Sequence, residues 1–127
     1  MASFLVFVLL PFHKDKIWAF EVKGKLDPAA LRIWAQNAMA SYSPTSDFIM
    51  IGSWLTNAPA VLTNSYSRPP MVLVSEDDDG KAVCLHLRYG GGMYDWGLTI
   101  GETNLPASHA RGKKPERWWD GIYYWAN

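Results

Sequence analysis

The sequence predicts an α+β domain: a mainly antiparallel sheet of about five to seven strands, with one principal helix over residues 28–41 packed on one face. Three observations lead there. Residues 81–101, KAVCLHLRYGGGMYDWGLTIG, alternate apolar and polar side chains on either side of a glycine run, as a β-hairpin does. Residues 26–31 carry three coincident helix-start signals. Several other stretches, 4–10, 17–23, 48–55, 71–75 and 117–125, are rich in the β-branched and aromatic residues that suit strands.

Taken in order, residues 4–10 (FLVFVLL) are apolar on both faces, the pattern of a central strand covered on both sides. The run to Phe12 is as long as a signal-peptide core, but no basic residue precedes it and no small-residue cleavage site follows. It also falls short of the roughly 18–20 apolar residues a membrane helix needs. Residues 17–23 (IWAFEVK) keep the β-formers Ile17, Trp18, Phe20 and Val22, and are expected as a second strand closed by Gly24. Asp27 is then a good N-cap, Pro28 falls at the first helical position and Leu26 can staple onto Leu31. Leu31, Trp34, Ala35 and Ala38 recur at helical spacing, so Trp34 should face the sheet while Arg32 and Gln36 stay wet. Residues 43–47 (SPTSD) have loop composition, and residues 48–55 are expected as another buried strand.

Residues 57–70 are punctuated by Pro59, Pro69 and Pro70 and lack clean periodicity, so a long surface connection is expected there. A short strand at 71–75 and the acidic turn 76–80 (EDDDG) lead into the hairpin. A Gly91-Gly92 turn sets its register. Tyr89 then faces Tyr94, Leu87 faces Trp96, Leu85 faces Leu98 and Val83 faces Ile100 on an apolar side. The other side carries Arg88 opposite Asp95, His86 opposite Gly97 and Cys84 opposite Thr99, and is expected to be solvated. Residues 102–116 (ETNLPASHARGKKPE) form a second irregular segment, longer than the usual connection of about 4–6 residues. Residues 117–125 (RWWDGIYYW) suit either one last strand or two short ones around an Asp120-Gly121 turn.

The chain has 127 residues, enough for a single domain with one core. Hydrophobic residues make up 49% and charged residues 19%, the balance of an ordered globular protein. Twelve basic and twelve acidic residues cancel, so no global field steers the chain to nucleic acid or anionic lipid. The one cysteine, Cys84, allows no internal disulfide, which favours a cytoplasmic setting.

Candidate chemistry gathers on the hairpin's polar side. There His86, with an ordinary pKa of about 6.5, lies beside Arg88, Asp95 and Thr99. The three histidines, His13, His86 and His109, show no ligand spacing, so neither a metal nor another cofactor is expected. The acidic turn fails as a calcium loop because position twelve would be His86. The glycine run has neither the lysine nor the helix of a phosphate loop. Arg111, Lys113, Lys114 and Arg117 gather four positive charges in seven residues, either a solvated tip or a local anion site under a mobile loop, and His109 and Glu102 in the same loop complete a pocket only if it folds back over the sheet. Seven tryptophans give the sheet large apolar rings. Trp34 and Trp96 are expected in the core, while Trp118, Trp119 and Trp125 are placed to line a pocket or a dimer contact. The expected function is therefore a small-molecule or polar-ligand binding module, its pocket drawn from His86, Arg88, Asp95, Thr99, His109, Arg111 and Trp118. Two other readings stand beside it: a protein-interaction or homodimerising module using exposed aromatics, and a small acid/base enzyme using His86 or His109 with Asp95. No catalytic motif of specific spacing supports the enzyme.

Overall fold

A computed structural model describes residues 14–41, 57–64, 70–91 and 94–127. The expected strands at 4–10 and 48–55 and the loop at 43–47 lie outside them. Among the described residues the fold is α+β, with five antiparallel strands in one sheet and three helices. In chain order these are α1 (Lys14–Lys25), α2 (Pro28–Ala40), α3 (Ala60–Asn64), β1 (Met71–Glu76), β2 (Ala82–Gly91), β3 (Tyr94–Gly101), β4 (Glu116–Trp119) and β5 (Ile122–Ala126). The sheet order is β1-β2-β3-β5-β4. No helix of the described residues is long and apolar enough to cross a membrane.

Residues 17–23 form part of a helix rather than the expected strand. The buried residues Asp15, Trp18, Val22 and Leu26 follow one another at three- and four-residue steps, a stripe on one helical face, while Phe20 stands 84% exposed. A strand would have put Trp18, Phe20 and Val22 on one side. Asp15 in the first turn and Lys23 and Lys25 in the last complement the helix dipole. Asp15 also pins α1 to the sheet: it accepts hydrogen bonds from the Tyr94 hydroxyl and, at 2.6 Å, from the Tyr124 hydroxyl. Burial opposes its ionisation, but the two phenols and nearby backbone amides outweigh burial and hold the carboxyl below its ordinary range.

α2 follows its start signals. Asp27 caps it by accepting from the Ala29 amide at 3.0 Å, Pro28 opens it, and Leu31, Trp34 and Ala35 are buried. Arg32, expected to be wet, instead reaches the Asp120 carbonyl with Nε at 3.0 Å and Nη2 at 2.6 Å. The expected surface connection 57–70 contains α3, whose Leu62 is fully buried and whose Leu62 carbonyl accepts from the Tyr89 hydroxyl at 2.6 Å. Three successive apolar residues on little more than one turn show no helical periodicity to be read beforehand.

The hairpin forms, with its register moved by two residues. Tyr89 pairs with Trp96, Leu87 with Leu98 and Leu85 with Ile100, and Gly91, expected in the turn, ends β2 opposite Tyr94. An even shift keeps the faces as expected, except that Val83, opposite the irregularity in the β1–β2 pairing, packs with Cys84, Leu105 and Tyr123 and not in the main core. The apolar face meets Trp18, Val22, Leu31, Trp34 and Leu62 from the helices and forms the main core. Trp34 and Trp96 lie in it as expected.

The polar face is not solvated, contrary to expectation. The segment 102–115 folds back over it, so that Cys84, His86, Asp95 and Thr99 are all buried. Leu105 seats against Gly101, where a Cβ would lie 2.8 Å from its Cδ2, and packs with Cys84 and Tyr123 in a second small core. At the chain's last hairpin Asp120-Gly121 is a tight turn joining β4 to β5, which decides between the two forms left open above. Gly121 has φ +77°, and a Cβ there would fall 2.2 Å from the Glu102 carbonyl oxygen. Only glycine supplies both the turn and that approach.

Candidate functional site

Period-two alternation brings the second face together. Cys84, His86 and Arg88 come from β2, Asp95 and Thr99 from β3, Ser75 from β1, and Tyr123 and Trp125 from β5. At its centre His86 is held from both ring nitrogens: Nδ1 lies 2.8 Å from Thr99 Oγ1, and Nε2 lies 2.7 Å from Ser75 Oγ. Cys84 Sγ is 3.7 Å from the same Nε2. A neutral imidazole has one donor and one acceptor, and the two hydroxyls answer both. Burial, reinforced by the positive charges of Arg111 and His109, depresses the imidazole pKa to about 4. Burial likewise pushes the Cys84 thiol up, against a smaller opposing effect of its hydrogen bond with Ser75. At neutral pH both groups are therefore uncharged.

Arg88 and Asp95 form the ion pair expected of them, Nε to Oδ2 at 2.7 Å, reached diagonally because Arg88 pairs with Gly97 and Asp95 with Gly90. Asn127 completes Asp95, donating from Nδ2 to Oδ1 at 2.5 Å. The pair therefore stands apart from the histidine: His86 is bonded to hydroxyls and Asp95 to Arg88 and Asn127.

The covering segment carries the remaining candidates. A 3₁₀ turn at Ala107–His109 leaves His109 exposed at the rim of a cleft of about 260 Å³ between the β1–β2 turn and residues 102–109. Lys81, Glu102 and Asn104 also border it, as does Asp77, whose Oδ1 is already occupied by the amides of Asp79 and Lys81 at 2.9 Å each. The guanidinium of Arg111 lies over the Trp125 ring, 5.2 Å from its centroid. Trp118 is elsewhere. It belongs to the main core, stacked on Tyr124 at 5.5 Å and capped by Lys23 Nζ at 5.8 Å.

Of the seven sequence-predicted residues, His86 and Thr99 thus share one hydrogen bond and Arg88 and Asp95 one ion pair. His109 and Arg111 lie on the segment above them, and Trp118 is on the opposite face. Sequence reasoning missed Ser75, Lys81 and Asn104, while Glu102 was expected beside His109 in a pocket formed by fold-back of this loop over the sheet. For Ser75 a signal existed, since β1 had to pair with β2 and place one polar residue beside Cys84. Lys81 and Asn104 had none, because they meet only through the fold-back of residues 102–109. Among the described residues no group of three or more His, Cys, Asp or Glu is arranged to hold a metal.

Comparison with protein-family models, with curated proteins and with solved structures finds no match. The chemistry of the site is therefore read from its own geometry.

Proposed function

We propose that the chain is a small-ligand binding module that takes a polar molecule into the cleft between the β1–β2 turn and residues 102–109. The observation that carries this is a cleft of about 260 Å³ bordered by Lys81 and His109 together with Glu102 and Asn104, so that donors and acceptors line one volume. Leu105 supplies an apolar floor. His86, Thr99 and the Arg88–Asp95 pair lie beneath as support: satisfied and buried, they hold β1, β2 and β3 in place under the covering segment. The buried free thiol of Cys84 fits a reducing, cytoplasmic setting.

A thermal-shift screen of small polar metabolites tests the proposal, because a ligand at 100 times its Kd stabilises by about 2.7 kcal/mol. Compounds that stabilise the wild type should lose that effect in Lys81→Ala/His109→Ala. Stabilisation that survives the double substitution removes the cleft from consideration.

A second reading is favoured by the helix surface, where Phe20 is 84%, Ile33 60% and Ile17 38% exposed. Apolar side chains of this size in water suit a protein partner or a second copy of the chain. Concentration-dependent mass in light scattering, abolished by Phe20→Ser, is its expected mark. The acid/base enzyme draws least support. A base must gain a proton, and His86 sits under two positive groups with a hydroxyl where a carboxylate would stabilise the imidazolium.

A further inference from the structure

Two N–H donors are left over beneath the covering segment. Arg111 Nε and Trp125 Nε1 are shut off from solvent and have no hydrogen-bond partner among the described residues. Their neighbours are matched. His86 has Ser75 and Thr99, Asp95 has Arg88 and Asn127, and the Tyr123 hydroxyl donates to the Leu105 carbonyl at 2.6 Å. Native structures rarely leave a buried donor unanswered, and such a donor marks a place where an acceptor belongs. The two donors are neighbours, since the guanidinium of Arg111 lies over the ring of Trp125, 5.2 Å from its centroid. Trp125 is fully buried, so its ring is a fixed platform for the guanidinium.

We propose that Arg111 and Trp125 together hold a small oxyanion, a carboxylate or phosphate group. The charge of Arg111 selects an anion over a neutral acceptor. Among the described residues its guanidinium has no carboxylate within ion-pair distance, whereas Arg88 and Arg117 each have one. A water molecule would answer the indole N–H and leave that charge uncompensated. Lys113 and Lys114, just after Arg111, add positive potential on the same segment. A hydrogen bond from the Arg111 Nε–H to an oxyanion would be charge-assisted on both sides. Neither residue lines the cleft of the proposed function, so this anion site is a second one.

The test is titration of the intact protein with inorganic phosphate and with acetate at constant ionic strength, chloride being the balancing ion. Calorimetry and tryptophan fluorescence are the readouts. At least one of the two anions should bind the wild type. Its affinity should fall at least about tenfold in Arg111→Gln, which keeps a donor and loses the charge, and less in Arg111→Lys, which keeps the charge and loses the fork. Trp125→Phe, which keeps the ring and loses the N–H, should weaken binding severalfold. If that core variant does not fold, the two Arg111 variants decide. Equal anion binding by wild type and Arg111→Gln, no binding of either anion, or a crystal grown in saturating phosphate that shows an ordered water only between the two donors would each overturn the proposal.

Discussion

His86 is the side chain whose environment departs furthest from what its neighbours in sequence suggest. Alternation put it on a polar face, and polar faces of antiparallel sheets usually meet water. Here the covering segment removes the water and two hydroxyls replace it. The consequence is a pH dependence of definite sign. The folded imidazole has a pKa of about 4 against about 6.5 in the unfolded chain, so between these values the unfolded state binds the extra proton. Stability is complete above pH 6.5 and declines as pH falls to about 4, by on the order of 3 kcal/mol. Urea denaturation from pH 7 to 4 measures the slope, and His86→Gln, which cannot take up the proton, should flatten it. Asp15 titrates in a separate window. Its lowered carboxyl contributes stability that is lost only as pH falls below the ordinary aspartate range. The same reasoning explains why a charged pair survives on this face: Arg88 remains partly exposed and brings Asp95 its counter-charge, leaving no isolated ion in the interior.

Among the elements, α1 is the one whose reading changes. Ile17, Trp18, Phe20 and Val22 have strand propensity, and propensity is a weak prior beside the burial that tertiary packing offers. The competing signal was present in the recurrence of Trp18, Val22 and Leu26 every four residues. Trp18 reaches Tyr89 at 4.6 Å between ring centroids and Trp118 at 6.4 Å, joining the helix to β2 and to the edge strand β4. Paired substitutions separate the two conformations in solution. Trp18→Ala should cost about 3–5 kcal/mol in chemical denaturation. Phe20→Ser should stay within about 0.5 kcal/mol of wild type, as exposed positions do. Equal, large losses at both positions would indicate a strand, in which residues two apart share a face. α2, by contrast, was legible from Asp27 and Pro28 onward because capping is a local interaction completed within three residues.

In the molecule as a whole, stability should be greatest where the sheet is covered on both sides. β3 pairs with β2 and β5, and is sealed by helices on one face and by residues 102–115 on the other. β4 is short, pairs with β5 alone among the described strands and carries exposed Glu116 and Arg117. Native-state hydrogen exchange should therefore find the Leu98 and Ile100 amides near the global unfolding limit and the hydrogen-bonded β4 amides at least about 100-fold faster. Comparable protection in the two strands would mean that β4 opens only with the whole fold. The cleft sits at the less protected margin, where the β1–β2 turn meets the 3₁₀ turn. Binding loops are usually drawn from such positions.

The α+β class, the α2 start, the hairpin and the separation of Leu85, Leu87, Trp96 and Leu98 from His86, Arg88, Asp95 and Thr99 were all determined by the amino-acid sequence. Each depends on alternation or capping within a few residues, and a two-residue slip in register leaves the faces intact. Only the tertiary structure decided that α1 is a helix, that the polar face is closed, and that Ser75 meets His86 while Asp95 does not. It alone brought Lys81 to Glu102 and His109, and Arg111 to Trp125. Those outcomes turn on which distant segments exclude water from one another, and that is a property of the assembled chain, for which no spacing in the sequence stands proxy.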